Sequence, residues 1–538
     1  MSPILPELET FFVFGHSYKG DLILKLLEVR DIKLEVNGMV LLESKHLEIY
    51  SGDRIGLIGI NGSGKTTLLE ELNTVSQYVS HYSTVELIPQ LKDIDTVKSG
   101  GEVTLQYIQD TLSRSPHLLL LDEPTTNLDV THIEMLDKVL QKHNGAYILV
   151  SHDREFLDRN VNQIWEIADH KIRIFKGTYS EFQEQKKQEK MHHAKEYEKY
   201  ITKKAQLERA YSDKKNQARE AVMYTAANGK RKETKDFHYQ KVGKKLDQVA
   251  KGIEKRIDQL EEVEQPEKEL KVHLNIPNEE TFLNRNIIRF NDITCSVGNR
   301  VLWHTRPFQM KGGKHIAIIG DNGVGKTTML RMMQESNSDI EVSTSVIFGY
   351  FSQNIDILDE KMTILDSVKE TSNHDETTIR TVLARLLIKR DEVNKKISVL
   401  SGGERVKVAL VKVFLSNINT LILDEPTNYL DIYTMEALTE LLKEYSGTVI
   451  FVSHDTKFVK DVADMIVEIK NKEVTVFDGT IEEYRAHEIN KLRDTRKEDL
   501  MLIENKIAEV LGKLSIEPSE SLAQEFSELL KKKRKLME

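Results

Sequence analysis

Gly59-Ile60-Asn61-Gly62-Ser63-Gly64-Lys65-Thr66 decides the reading of this chain, because Gly320-Asp321-Asn322-Gly323-Val324-Gly325-Lys326-Thr327 repeats it later. Both fit G-x-x-x-x-G-K-[ST]. Each follows an apolar stretch of strand character, Arg54-Ile55-Gly56-Leu57-Ile58 and His315-Ile316-Ala317-Ile318-Ile319, and each opens a helical pattern, Thr67-Leu68-Leu69 and Thr328-Met329-Leu330. Strand, glycine loop and helix in that order is the context the motif requires. The glycines let backbone N–H groups turn inward around phosphate oxygens. The partial positive charge of the helix N-terminus adds to them. Gly59, Asn61, Gly62, Ser63 and Gly64, and in the second copy Gly320, Asn322, Gly323, Val324 and Gly325, are therefore expected to line nucleotide sites, with Thr67 and Thr328 beside them. Lys65 and Lys326 are expected to reach the β- and γ-phosphates, and Thr66 and Thr327 to hold Mg²⁺. A glycine turn without a ligand explains one such loop; it does not explain two in the same context.

The repeat continues past the loops. Leu118-Leu119-Leu120-Leu121-Asp122-Glu123-Pro124 is matched by Leu421-Ile422-Leu423-Asp424-Glu425-Pro426. An apolar run ending in two carboxylates reads as a buried parallel strand that delivers them at its C-terminal end. Asp122 and Asp424 suit Mg²⁺ binding through water, and Glu123 and Glu425 suit a general base acting on the attacking water. Asn127-Leu128-Asp129 and Asn428-Tyr429-Leu430-Asp431 follow, then Val150-Ser151-His152-Asp153 and Val452-Ser453-His454-Asp455. A lone histidine after a strand is more often structural. His152 and His454 recur at the same place in both halves, which favours a catalytic contact with the γ-phosphate. Gln90, after Leu87-Ile88-Pro89, and Gln353, after Tyr350-Phe351-Ser352, lie between phosphate loop and carboxylates. Ser99-Gly100-Gly101-Glu102 is matched by Ser401-Gly402-Gly403-Glu404.

Together these motifs resemble the ATP-binding cassette (ABC) ATPases over nearly the whole chain. The resemblance implies ATP and Mg²⁺ as cofactors and hydrolysis of ATP as the reaction. It adds Gln90 and Gln353 to Thr66, Asp122, Thr327 and Asp424 as Mg²⁺ ligands. It makes each Ser-Gly-Gly-Glu segment a signature that caps the ATP held by the opposite half. Two departures stand out: Lys98 precedes the first signature where Leu400 precedes the second, and neither Glu35-Val36-Asn37 nor Ser296-Val297-Gly298 offers an aromatic ring to adenine. The copies also differ in spacing. Residues 354–400 carry Ile379, Val382, Leu383, Leu386 and Leu387 at helical intervals, whereas the first copy has only residues 91–98 between glutamine and signature. The first helical subdomain is therefore expected to be nearly absent.

From residue 181 to 265 glycine nearly vanishes and Lys, Glu and Gln dominate. Tyr197, Ile201, Lys204, Leu207 and Tyr211 recur at three-to-four spacing, as do Leu246, Val249, Ile253, Ile257 and Leu260. This pattern predicts an antiparallel pair of helices, each of roughly 25–30 residues and about 40 Å long, turning near Met223 to Gly229. Between Lys214 and Lys245 there are ten Lys or Arg against three Asp or Glu, in a chain whose net charge is −10. Such a basic patch suits a phosphate backbone, and Tyr224, Phe237, His238 and Tyr239 offer stacking faces among the charges. A solvated spacer is the alternative, but it does not require the charge to peak at the far end of an arm.

Paired cassettes joined by such a hairpin, with no membrane domain, resemble the ABC-F subfamily. The stretch from Ile88 to Thr104 and the tail from Leu514 to Glu520 are similar to its Vga-type antibiotic-resistance members. That likeness implies a ribosome-protection ATPase. It would bind the bacterial ribosome at the tRNA exit site, meet 23S rRNA and exit- or peptidyl-site tRNA, and displace lincosamides, streptogramin A compounds and pleuromutilins. A housekeeping translation factor of the same subfamily is the nearest alternative. The ATPase subunit of a drug exporter and an SMC-like or DNA-repair ATPase are more remote ones.

The bulk properties agree. At 538 residues, 30% charged and 39% hydrophobic, the chain has room for several cores and no apolar run of membrane-spanning length. One cysteine, Cys295, excludes an intrachain disulfide and a multi-cysteine metal site. Residues 1–10 lack the features of a secretory signal, so a cytoplasmic protein is expected. The expected fold is α/β: two tandem ABC-type P-loop domains joined by a long antiparallel helical hairpin, with a helical C-terminal extension. The expected boundaries are residues 1–25 (an extension that matches no motif), 26–180, 181–282, 283–486 and 487–538. The chain is expected to act as a monomer whose cassettes pair internally. The basic stretch 531–535 either touches RNA or ends a solvated helix.

Overall fold

The two apolar runs that end in carboxylates form interior strands, Leu118–Asp122 and Thr420–Asp424, and every residue of each is buried. The structure is a computed structural model. It describes residues 17–18, 21–22, 24–36, 38–90, 100–126, 128, 130–227, 233–266, 282–335, 339–352, 357–389, 391–516 and 520–537. Residues 1–176 and 272–538 make one unit, and residues 177–271 a second.

In the first cassette the strands run in the order Val79–His81, Lys25–Val36, Met39–Tyr50, Lys171–Lys176, Gln163–Ala168, Arg54–Gly59, Ala146–Val150, Leu118–Asp122 and Val85–Ile88. The last five are mutually parallel. Parallel strands need covered faces, which explains their near-continuous apolar sequence. The second cassette repeats this core as Met465–Lys470, His315–Gly320, Thr448–Val452, Thr420–Asp424 and Phe348–Phe351, again parallel. Its flanking strands differ. The long hairpin of the first cassette is replaced by the pair Ile293–Val297 and Arg300–Thr305 and by a separate three-stranded sheet, Phe308–Lys311, Asn286–Phe290 and Ile340–Val342. Cys295 is a buried strand residue whose thiol burial pushes up in pKa. In both copies the phosphate loop, the carboxylates and the histidine follow the C-terminal ends of adjacent parallel strands, where open α/β sheets place ligands.

Helices Ile364–Lys369 and Glu376–Arg385, with two short 3₁₀ turns, occupy the segment before the second signature, and Ile379, Val382, Leu383 and Leu386 are buried in it. Residues 91–99, where the first copy is expected to lack these helices, lie outside the described residues. Helices Ile481–Ile516 and Glu520–Met537 follow the second cassette and are tied by Lys533 Nζ to Glu504 Oε1 at 2.7 Å. Near the N-terminus Ser17–Tyr18 pairs with Asp21–Leu22; the other residues before Leu24 lie outside the description. No helix among the described residues is long and apolar enough to cross a membrane.

The second unit is the hairpin, Tyr179–Ala227 and Glu233–Asp258. Its first helix corrects the expected length: 49 residues rather than 25–30, about 74 Å at 1.5 Å per residue. The apolar seam begins only near Tyr197, so periodicity misses the preceding turns, which expose most of their side chains. Gln, Lys and Glu keep those turns helical by propensity. Thr178 and Glu181 cap the start reciprocally: Thr178 N donates to Glu181 Oε2 and Glu181 N donates to Thr178 Oγ1. The helix also continues through Met223 to Ala227, where the turn is expected; residues 228–232 lie outside the description. The antiparallel pairing appears in Tyr211 Oη, which donates to Glu254 Oε1 at 3.2 Å, and in the buried Ala218 and Ala250.

Candidate functional site

Lys65 opens the helix Lys65–Leu72 behind Gly64, whose φ of 94° is left-handed and whose position carries no side-chain cap. Gly64 thus offers the first N–H groups of this helix no side-chain acceptor of its own, which suits an anion site. Lys65 Nζ is buried and donates to the carbonyls of Gly59 at 2.9 Å and Ile60 at 3.2 Å. Lys326 Nζ does the same with Gly320 at 2.8 Å and Asp321 at 3.0 Å, and also lies 3.2 Å from His454 Nε2. Burial lowers the Lys65 pKa, while Glu123, Asp431 and Asp122 pull it back. Ser63 Oγ is buried without a partner. An unpaired buried hydroxyl costs free energy unless something supplies the missing bond; a phosphate oxygen in the loop would do so.

Thr66 Oγ1 donates to Asp122 Oδ2 at 2.7 Å, and Thr327 Oγ1 to Asp424 Oδ1 at 3.2 Å. Each pair converges hydroxyl and carboxylate oxygens, the donor set that suits a hard cation such as Mg²⁺. Burial raises both aspartate pKa values, and the threonine hydroxyls oppose the shift. Glu123 and Glu425 adopt φ of 50° and 52°, an uncommon conformation for a residue with a Cβ and one that clusters at functional sites. Their N–H groups are anchored on Val150 O and Val452 O, both at 3.0 Å. His152 Nε2 lies 2.8 Å from Glu123 Oε1, and His454 Nε2 lies 3.1 Å from Glu425 Oε1. Burial opposes the Glu123 carboxylate, but His152 and Lys65 outweigh it and hold the pKa below its usual value. Glu425 Oε2 is buried with no partner, a free acceptor for a water. Ser151 and Ser453 steady the histidine loops through Thr125 and Thr427, at 2.9 and 3.1 Å.

The cassettes meet at this site. Asn61 N, in the first phosphate loop, donates to Asp431 Oδ2 of the second cassette at 3.1 Å. A Cβ on Gly403 would stand 2.9 Å from Asn61 Nδ2, so the second signature packs directly against the first loop. Ser401 and Glu404 cap that signature helix, Gly402–Phe414, reciprocally. Within the second cassette Lys407 Nζ also donates to Asp431 Oδ2 at 3.2 Å, and both residues are buried. Burial pushes the Asp431 pKa up, but Lys407 and the hydrogen bonds from Thr434 and Asn61 together outweigh it and hold the carboxyl below its usual value. Asp431→Ala strands the Lys407 ammonium in the interior. The second cassette is expected to lose about 3–5 kcal/mol in chemical denaturation, and Asp431→Ala with Lys407→Met to recover most of it.

Several expected residues are not brought together within the description. Gln90 is exposed beyond the strand Val85–Ile88. Ser99 and Gln353 lie outside the described residues, as do the side chains of Glu102 and its neighbours at the start of the helix Gly100–Ser113. Two partners lacked an assigned role in the sequence. Asp431 was visible only as the last residue of a repeated motif. Tyr350 donates to Asp424 Oδ2 at 3.2 Å and stands where the first copy has Leu87; burial and then Asp424 push its pKa up to about 12.

The family model described as ABC transporter matches residues 304–428. The chain is 33% identical to the erythromycin resistance ATP-binding protein MsrA of Staphylococcus epidermidis, over 80% of this chain and 94% of that protein. It is 29% identical to the ribosome protection protein VmlR of Bacillus subtilis (strain 168), over 95% and 98%. Among solved structures, the archaeal ribosome recycling factor aABCE1, in complex with stalk protein aP1, superimposes with a TM-score of 0.53 at 16% identity, covering 82% of this chain and 88% of that one. That likeness concerns the fold.

Proposed function

The chain belongs to the ABC-F family of ATP-binding cassette ATPases, and on that footing we propose that it is a ribosome-protection factor driven by ATP. The observation that carries this reading is the apposition of the first phosphate loop and the second signature, through Asn61, Asp431 and Gly403, in one interface. Two ATP molecules are sandwiched there. Lys65, Thr66, Gln90, Asp122, Glu123 and His152 face Ser401, Gly402, Gly403 and Glu404. Lys326, Thr327, Gln353, Asp424, Glu425 and His454 face Ser99, Gly100, Gly101 and Glu102. Mg²⁺, when bound, neutralises charge on the β- and γ-phosphate oxygens. Thr66, Gln90 and Asp122 would hold it in one site, and Thr327, Gln353 and Asp424 in the other. Glu123 and Glu425 accept a proton from the attacking water, ADP leaves with the displaced oxygen, and His152 and His454 orient the glutamates and the γ-phosphate.

Closure on ATP commits the hairpin to the tRNA exit site of the bacterial ribosome, and hydrolysis releases it. The basic stretch between Lys214 and Lys245 supplies the contact with 23S rRNA and tRNA. Lincosamides, streptogramin A compounds and pleuromutilins are displaced from the peptidyl-transferase centre as the RNA around them shifts. The names of the two relatives, one an erythromycin resistance protein and one a ribosome protection protein, support this direction. The test is growth of a susceptible bacterium on lincomycin and tiamulin. The intact chain is expected to raise the inhibitory concentrations, and the chain lacking residues 221–232 to give no protection at equal abundance. Equal protection by both would remove the hairpin from the mechanism.

A further inference from the structure

The two histidine loops meet at one buried cation. Arg154 follows Ser151-His152-Asp153 in the first cassette, and its side chain is 3% exposed. Its Nη2 lies 3.6 Å from Asp455 Oδ2, the aspartate of Ser453-His454-Asp455 in the second cassette. Arg154 Nε and Nη2 and Asp455 Oδ2 make no hydrogen bond. The neighbouring helices are tied by Thr456 Oγ1, which donates to Glu155 Oε2 at 2.9 Å. Asp153 and Asp455 hold equivalent places and do the same local work, capping their helices through Phe156 N at 2.9 Å and Phe458 N at 2.8 Å. The position after them is not equivalent: Arg154 in one copy, Thr456 in the other. The pseudo-symmetric interface therefore brings two carboxylates together and supplies one guanidinium.

We propose that Arg154 is a positioning residue for ATP hydrolysis, the buried cation that lets the loops bearing His152 and His454 approach each other when the cassettes close. This rests on the reading that the cassettes close around nucleotide. Asp455 is buried and Asp153 half-buried; two carboxylates so placed repel, and the repulsion grows as the surroundings lose water unless a proton or a cation intervenes. Charged groups face the pair from both cassettes. Asp153 faces Asp455, Glu155 and Arg159; Asp455 faces Arg154 and Glu155 and takes the backbone N–H of Lys457. Lys460 acts on Glu155 from the second cassette. Even with Arg154 present, burial and then Asp455 raise Asp153 to about 7. A raised carboxylate keeps its proton in the closed form at a pH where a solvated aspartate has lost it. Acid therefore favours closure, and rising pH opposes it through about 7.

The test is steady-state ATP hydrolysis by the full chain, without ribosomes, at about pH 6 and about pH 8. Arg154→Met is expected to cut kcat roughly tenfold at the higher pH and only about twofold at the lower, with little change in KM, because a proton then replaces the guanidinium. Arg154→Met with Asp455→Asn is expected to regain kcat to within about twofold of the natural chain and to lose the steep pH dependence. Arg154→Lys is expected to keep the natural profile. Unchanged activity in Arg154→Met overturns the proposal. So does an equal loss at both pH values that Asp455→Asn does not repair, which would mark Arg154 as packing alone. If Arg154→Met does not fold, the double variant decides: a natural rate with a flattened pH profile supports the proposal, and any other result defeats it. A natural chain that hydrolyses ATP normally but never binds ribosomes would defeat the proposed function and leave this inference standing.

Discussion

Replacing Glu123 and Glu425 together by Gln is expected to lower ATP turnover on the order of 10²–10⁴-fold while nucleotide stays bound. Both glutamates stand at the end of a buried parallel strand with φ near 50°, so the side chain is aimed by a conformation the strand would not otherwise adopt. Their N–H groups are fixed on the adjacent strand and their carboxylates lie against His152 and His454. Glutamine preserves shape and hydrogen bonding but cannot accept the proton of the attacking water. The loss should therefore fall on kcat, with affinity for ATP unchanged or improved. Single-turnover hydrolysis beside a binding titration separates the two. Turnover within about tenfold of the natural chain would show that another group takes the proton.

Lys65→Ala is expected to weaken ATP binding at its site roughly 10²-fold or more, since two or more charge-assisted contacts to phosphate are lost at about 1.5–3 kcal/mol each. The ammonium is already buried and poised, spending its hydrogen bonds on Gly59 and Ile60 carbonyls that phosphate oxygens would supplement. Its removal also takes from Asp122 and Glu123 an ammonium that favours both carboxylates. Lys326→Ala should act similarly, with an added effect on His454, which sits 3.2 Å from Lys326 Nζ. Titration of each variant with a fluorescent ATP analogue measures the change. Affinities within about twofold of the natural chain would argue against phosphate contact by these lysines.

The sequence exposed what is local and hid what is tertiary. Both phosphate loops and both carboxylate strands were legible because each motif spans one strand, one turn and the start of one helix. The repeat then removed the ambiguity of each single match. The cassette interface was not legible. Asn61 and Asp431 are 370 positions apart, and no periodicity links Tyr433 to Glu166, whose side chains bond across the same interface at 2.7 Å. Asp431 was visible as a repeated residue, but its role depends on Lys407, which lies on the signature helix and looks like any surface lysine in sequence. The length of the first hairpin helix is hidden in the sequence for a related reason. Apolar spacing reports burial, and the turns from Tyr179 to Glu196 are helical while burying little. The buried guanidinium of Arg154 beside Asp455 is visible only when both histidine loops are seen side by side.

Co-sedimentation of the chain carrying Glu123→Gln and Glu425→Gln with bacterial ribosomes tests the coupling of nucleotide closure to ribosome binding most directly. The account predicts that this variant pellets with ribosomes in ATP and remains in the supernatant in ADP. A variant that binds ATP yet stays free of ribosomes would contradict it.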